Sequence, residues 1–155
     1  MHRFAGFFVL VATAGCAGHQ ADSPVNESGM DLPVRQLGQW SSTRVQLPER
    51  RLIRSASSWA AVWDSISSDP RPQVDFTRET VVLAAAGERR TGGYVLRIAG
   101  VRDSAGTLIV TVIEEQPGAG CLTTAALTYP VTVVAVPVVA RPARFDERRE
   151  SRACP

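Results

Sequence analysis

Lysine is absent from this chain of 155 residues, and all 17 basic side chains are arginine. The coding bias of a GC-rich genome accounts for such usage, and it carries no functional weight. Histidine is confined to His2 and His19. Residues 20–155 therefore hold neither the commonest general base nor the commonest metal ligand. Charge of one sign is not in surplus either: 17 bases against 15 acids leave +2, too balanced for an electrostatic nucleic-acid binder. No apolar run reaches the roughly 20 residues of a membrane-spanning helix. No serine sits in a Gly-x-Ser-x-Gly elbow, and no histidine could activate one. Metal-ligand clusters are missing as well, so no catalytic residue, no metal site and no cofactor is expected.

What is present begins with an export signal. Residues 1–3 (MHR) are positively charged, residues 4–12 (FAGFFVLVA) are apolar, and Ala14-Gly15-Cys16 follows. The length and flanks suit a signal peptide. Small residues directly before a cysteine resemble the lipobox of bacterial lipoproteins, in which the cysteine is lipidated and becomes the first residue after cleavage. The expectation is a signal peptide over 1–15 and lipidation at Cys16, giving an exported protein anchored to the cell envelope by acyl chains that do not cross the membrane. Ala17 is not the aspartate associated with inner-membrane retention, so the outer membrane is the default site. Ordinary secretion with cleavage near the same place is the alternative.

Cys121 and Cys154 then remain as an even pair in an exported chain, and a disulfide between them is expected. It would close a loop of about 33 residues and contribute around 3–4 kcal/mol. A catalytic thiol would lack a histidine partner, and two thiols without histidine make a poor zinc site.

Residues 16–31 are small, polar and aperiodic, and read as a flexible tether able to reach ~50 Å when extended. A single domain follows over 32–155, long enough to bury one core. Residues 50–54 form a short strand-like run. Ser57 or Ser58 then offers a helix cap, and Trp59, Val62, Trp63 and Ile66 form an apolar stripe at helical spacing. Asp69-Pro70 ends the helix. The two tryptophans are expected in the core. Residues 80–86 (TVVLAAA) are continuously apolar, as in an interior strand covered on both faces. Strands are expected over 94–101 and 107–113 with a turn at 102–106. A strand pair over 122–129 and 131–139, or one long strand bent at Pro130, comes next. Pro130 and Pro137 there argue for an edge or a bulge. The tail 144–152 alternates weakly, and the disulfide would hold it against the sheet. The predicted class is α+β, one amphipathic helix packed on a mostly antiparallel β-sheet.

The connection 87–94 (GERRTGGY) carries two adjacent glycines suited to positive φ, beside Arg89 and Arg90. It lacks the Lys-Ser/Thr ending and the helix of a phosphate loop, which leaves a structural turn or a binding edge. Glu114 and Glu115 are adjacent in a strand and face opposite sides, so they cannot act as an acid–base couple.

Ser58-Trp59-Ala60-Ala61-Val62-Trp63, Val74-Asp75-Phe76, Val81-Val82, Gly87, Arg90-Thr91-Gly92-Gly93-Tyr94, Pro117-Gly118 and Tyr129-Pro130 together resemble the C-terminal domain of the PrcB family of protease-complex subunits, over about 50–140. The resemblance implies a non-catalytic, commonly lipid-anchored envelope protein that binds another envelope protein, a protease among the candidates. The candidate partner-binding residues are Arg89, Arg90, Thr91, Gly92, Gly93 and Tyr94, read as a hairpin in which the arginines project freely. The alternative is a periplasmic binder of a small ligand or cell-wall component. A deep apolar pocket would favour that alternative, and an exposed sheet edge or apolar patch would favour protein binding.

Overall fold

A strand that is apolar at most positions on both faces needs a cover on each, and the two runs 79–85 and 131–137 receive one on each. The computed structural model describes residues 29–154. The signal peptide expected over 1–15, Cys16 and the tether up to residue 28 lie outside them. In chain order the elements are β1 (Met30–Asp31), β2 (Arg35–Trp40), β3 (Glu49–Ile53), α1 (Ala56–Ile66), β4 (Glu79–Ala85), β5 (Val95–Ser104), β6 (Thr107–Pro117), β7 (Val131–Pro137) and β8 (Ala143–Arg152). They form two four-stranded sheets, β2-β7-β4-β3 and β1-β5-β6-β8. Every pairing is antiparallel except that of β6 with β8, which is parallel.

β4 and β7 are the central pair of the first sheet, in a register that sets Val82 opposite Val134 and Leu83 opposite Val133. Alternation sends their side chains two ways. Val81, Leu83, Ala85, Val131 and Val133 pack with Ile53 and with Trp59, Val62, Trp63 and Ile66 of α1. Val82, Ala84, Val134 and Val136 pack with Leu96, Ile98, Val101, Leu108, Val110 and Val112 of the second sheet. The molecule is a sandwich of two sheets with one helix laid on the outer face of the first.

This corrects the predicted class. The fold is β-rich, with eight strands and a single helix of eleven residues among the described residues, and not α+β with a helix packed on one sheet. The physical reason lies in residues 80–86: a helix covers one face of such a strand, and a second sheet is needed for the other.

The helix itself follows its sequence pattern. Its four stripe residues are all buried. Trp59 and Trp63 meet edge-on with centroids 5.2 Å apart, and Trp40 meets Trp63 in the same way at 5.4 Å. Each buried indole donates its N–H, Trp59 to the Pro72 carbonyl at 3.1 Å and Trp63 to the Asp69 carbonyl at 2.8 Å. Both tryptophans are core residues. The cap lies earlier than expected: Ser55, with extended backbone, accepts from the Ser58 amide at 3.3 Å, and Ser57 and Ser58 fall inside the first turn.

Three further expectations are corrected. Residues 122–129 form a loop carrying one isolated bridge, since Leu122 and Leu127 have no core to face. Pro130 and Pro137 do not mark an edge. β7 is an interior strand, Pro137 is its last residue, and Pro130 precedes it while accepting from the Ala86 amide at 2.8 Å. The turn expected at 102–106 is shorter, because β5 runs to Ser104 and β6 starts at Thr107. β1 and β2 lie in polar sequence with little strand signal; β1 begins at Met30, inside the stretch read as tether.

Candidate functional site: two strapped loops at one end of the sandwich

β4 ends opposite the start of β7, and β5 starts opposite the end of β6. The connections 86–94 and 118–130 therefore emerge at the same end of the sandwich, joined there by the C-terminal end of β8 opposite Pro117. The first connection crosses from one sheet to the other. The hairpin expected around 91–94 is absent, because β4 pairs with β3 and β7 while β5 pairs with β1 and β6.

Backbone and side-chain bonds strap the two loops together. Arg89 and Thr128 exchange both amide bonds, at 2.8 and 2.9 Å. The Gly92 amide donates to the Thr124 carbonyl at 3.0 Å, and the Thr128 hydroxyl to the Thr91 carbonyl at 2.9 Å. The two glycines serve different needs. Gly93 has φ +89°, a left-handed conformation that a side chain would strain. Gly92 is buried, and a Cβ there would sit 2.3 Å from the Thr124 hydroxyl. The second loop is tied in turn to the tail. Cys121 and Cys154 are bonded, with Cα atoms 5.3 Å apart, and the Gly118 amide donates to the Arg152 carbonyl at 2.9 Å.

Arg89 does not project freely. Its guanidinium donates to Glu114 Oε1 from Nε and to the carbonyls of Ala86 and Glu88 from one terminal nitrogen, at 2.9 and 2.8 Å. It also lies 5.8 Å from the centroid of the Tyr94 ring. Glu114 is buried between the sheets, with only 9% of its side chain exposed. Burial pushes its carboxyl up, but the hydrogen bond and charge of Arg89, joined by Arg149 at 3.4 Å, outweigh that and hold it below the usual glutamate range. Glu115, on the opposite face as alternation requires, pairs with Arg97 at 2.9 Å. Arg90 is exposed. Of the six residues read as a contact surface, then, Arg90 and Gly93 are exposed, Thr91 and Tyr94 are half-buried, Gly92 is buried, and Arg89 is an internal tie.

Sequence reasoning missed the other half of this end. Leu122 is fully exposed at 103% relative accessibility and Leu127 is 52% exposed, both on the strapped loop. The signal was readable: two leucines flank a run of small residues, LTTAAL, between a Gly-Pro turn and a proline, and such a run has too little bulk to fill a core. A concavity of about 630 Å³ lies elsewhere, on the outer face of the second sheet around Gly100, Thr111, Arg102 and Arg148.

Compared with known proteins, residues 80–137 match the family model described as PrcB C-terminal, from β4 to β7 and across both strapped loops. No curated protein and no solved structure matches.

Proposed function

From a chain whose residues 80–137 match the family model described as PrcB C-terminal, we propose a lipid-anchored, non-catalytic envelope protein that acts as an accessory module of a protease complex. Its contact surface is the strapped end of the sandwich. One observation carries this reading: the family segment holds Leu122 fully in solvent on a loop fixed by a disulfide and by bonds to the neighbouring connection. An apolar side chain on a rigid support meets a partner with little ordering entropy left to lose. Leu127 and Arg90 extend the same surface, one with apolar area and the other with a solvated charge. Lipidation at Cys16 would present that surface at a membrane.

The test is crosslinking in cells followed by purification of the full chain from membranes and identification of what accompanies it. A protease subunit is expected with the wild type and should be depleted with Leu122→Asp, a change at an exposed position that leaves the fold intact. An unchanged partner set with Leu122→Asp would place the interface elsewhere. Cys16→Ser is expected to accumulate as an unprocessed precursor; normal processing and detergent partitioning of that variant would remove the anchor from the proposal.

A further inference from the structure

β8 is a ten-residue strand at the edge of the second sheet. Protein edges are usually blunted by short length, proline, a bulge or charged side chains, and of these β8 carries only the charges. β8 runs opposite β6 in unbroken register from Ala143 to Arg152 and contains no proline. The Leu108 amide donates to the Pro142 carbonyl and the Gly118 amide to the Arg152 carbonyl, each at 2.9 Å. In a parallel ladder the bonds to one neighbour come from alternate residues, so the even-numbered positions of β8 serve β6. Ala143, Phe145, Glu147, Arg149 and Ser151 turn their amides and carbonyls to the open edge. Among the described residues, no backbone bond outside the ladder reaches those five.

The charges along this edge alternate in sign. Arg144, Asp146, Arg148, Glu150 and Arg152 share the outer face, reading plus, minus, plus, minus, plus. Two such strands laid antiparallel about a twofold axis match opposite charges whenever the axis passes through an odd-numbered residue. They match like charges whenever it passes through an even one. An axis at Glu147 gives nearly full overlap: Asp146 then faces Arg148 of the second copy, and Arg144 faces Glu150 of the second copy. The two Glu147 side chains meet at the axis, but each is already held by its own Arg50 at 3.0 Å. Arg148, exposed and in no ion pair among the described residues, gains a carboxylate partner.

We propose that a second copy of this chain pairs along β8, antiparallel and centred on Glu147, joining two second sheets into one continuous eight-stranded sheet. The surface runs along the sheet edge and meets the loop end assigned above only at the C-terminal end of β8. Opposite charges directly across strands attract and like charges repel, so the signs select this register over the even-centred ones.

The test is sedimentation velocity of the full chain over rising protein concentration, in detergent with micelles in excess so that anchors are not shared. Wild type is expected to dimerise, and to do so less as salt is raised. Arg148→Asp sets two like-charge pairs across the axis and should raise the dimer dissociation constant about tenfold. Asp146→Arg combined with Arg148→Asp reverses both members of the pair and should restore association to near wild type. A cooperative melt and an intact Cys121–Cys154 bond in each variant keep loss of folding separate from loss of pairing. A wild type that stays monomeric overturns the proposal. So does a dimer indifferent to Arg148→Asp, and so does a double variant that remains as weak as the single one.

Discussion

The two sheets of this sandwich share one core and differ in what covers their backs. The first, β2-β7-β4-β3, is closed outside by α1, and its central strands β4 and β7 are buried along nearly their whole length. The second, β1-β5-β6-β8, has no helix on its outer face among the described residues. β5 and β6 alternate there, with Arg97, Arg102, Thr111 and Glu115 turned outward. A sheet buried twice must be written in valine and alanine, whereas a sheet buried once can spend every second position on charge. Recognition surfaces are therefore available on the second sheet, its β8 edge and the loops at the end, while the covered sheet has stability as its main task.

The sharpest way to break that comparison is to remove the cover. Trp63 touches Trp59, Trp40 and the β4–β7 surface, and is 4% exposed. Trp63→Ala should cost about 3–5 kcal/mol and strand the Asp69 carbonyl bond as well. On the open sheet Arg97→Ala removes two ion pairs that are partly solvated, and the loss should stay below about 1 kcal/mol. Denaturant titration of the two variants measures both. Comparable losses would mean that the outer face of the second sheet is not the energetically idle one.

A smaller effect tests the joint between the sheets. Arg89→Ala leaves Glu114 buried with only the exposed Arg149 beside it. Removing one partner of a fully buried pair costs about 3–5 kcal/mol, and about 2–3 kcal/mol is expected here because Arg149 remains and the site is partly open. Arg90→Ala, at an exposed position, should change stability by less than about 0.5 kcal/mol. The pH dependence follows from the lowered folded-state pKa of Glu114. Its contribution is fully present above the unfolded glutamate value, near pH 4.3, and is lost as pH falls through the lower folded value. In Arg89→Ala the upward push of burial is no longer offset by that arginine, so the folded value moves up toward the unfolded one and the acid-side loss contributed by Glu114 shrinks, while its onset stays at the unfolded value. A stability difference between wild type and Arg89→Ala that stays constant as pH falls from 7 through that range would dissociate the two residues.

These contrasts also explain what the sequence could tell. The helix stripe was legible because Trp59, Val62, Trp63 and Ile66 repeat at the helical period, and 80–86 was legible as a strand covered twice. The second layer was not, because its outer strands carry no apolar signature: β8 reads as interleaved charge, and it becomes a strand only through a parallel pairing with β6, more than thirty positions back along the chain. The likeness to the PrcB family was carried by residues of α1, of β4 and of the turns. The roles of those turn residues were less visible. Gly93 behaves as a glycine at positive φ should, but Gly92 is required by Thr124, and Arg89 by Glu114, 25 residues away. Local sequence cannot announce such partners, and a surface arginine looks the same as an internal one until its carboxylate is placed.

The smallest effect sharpens the comparison at the turn that joins β5 to β6. Among the described residues this hairpin is the only link between sequence-adjacent paired strands in the second sheet, and its two loop residues are Ala105 at φ 44° and Gly106 at φ 86°. Both central residues at positive φ define the turn type whose twist suits a two-residue hairpin. Gly106 adopts that conformation freely, whereas the Cβ of Ala105 is crowded by about 1–2 kcal/mol. Ala105→Gly relieves the crowding and gives back part of it, about 0.5–1 kcal/mol, as extra freedom of the unfolded chain. The net is a stabilisation of about 0.5 kcal/mol, or a rise of roughly 1–3 °C in Tm for a domain of this size. Because the turn is only two residues long, part of the gain should appear as faster folding if β5 and β6 pair early. A lower Tm for Ala105→Gly would mean that alanine is at ease there, and that the open sheet is built around a different turn.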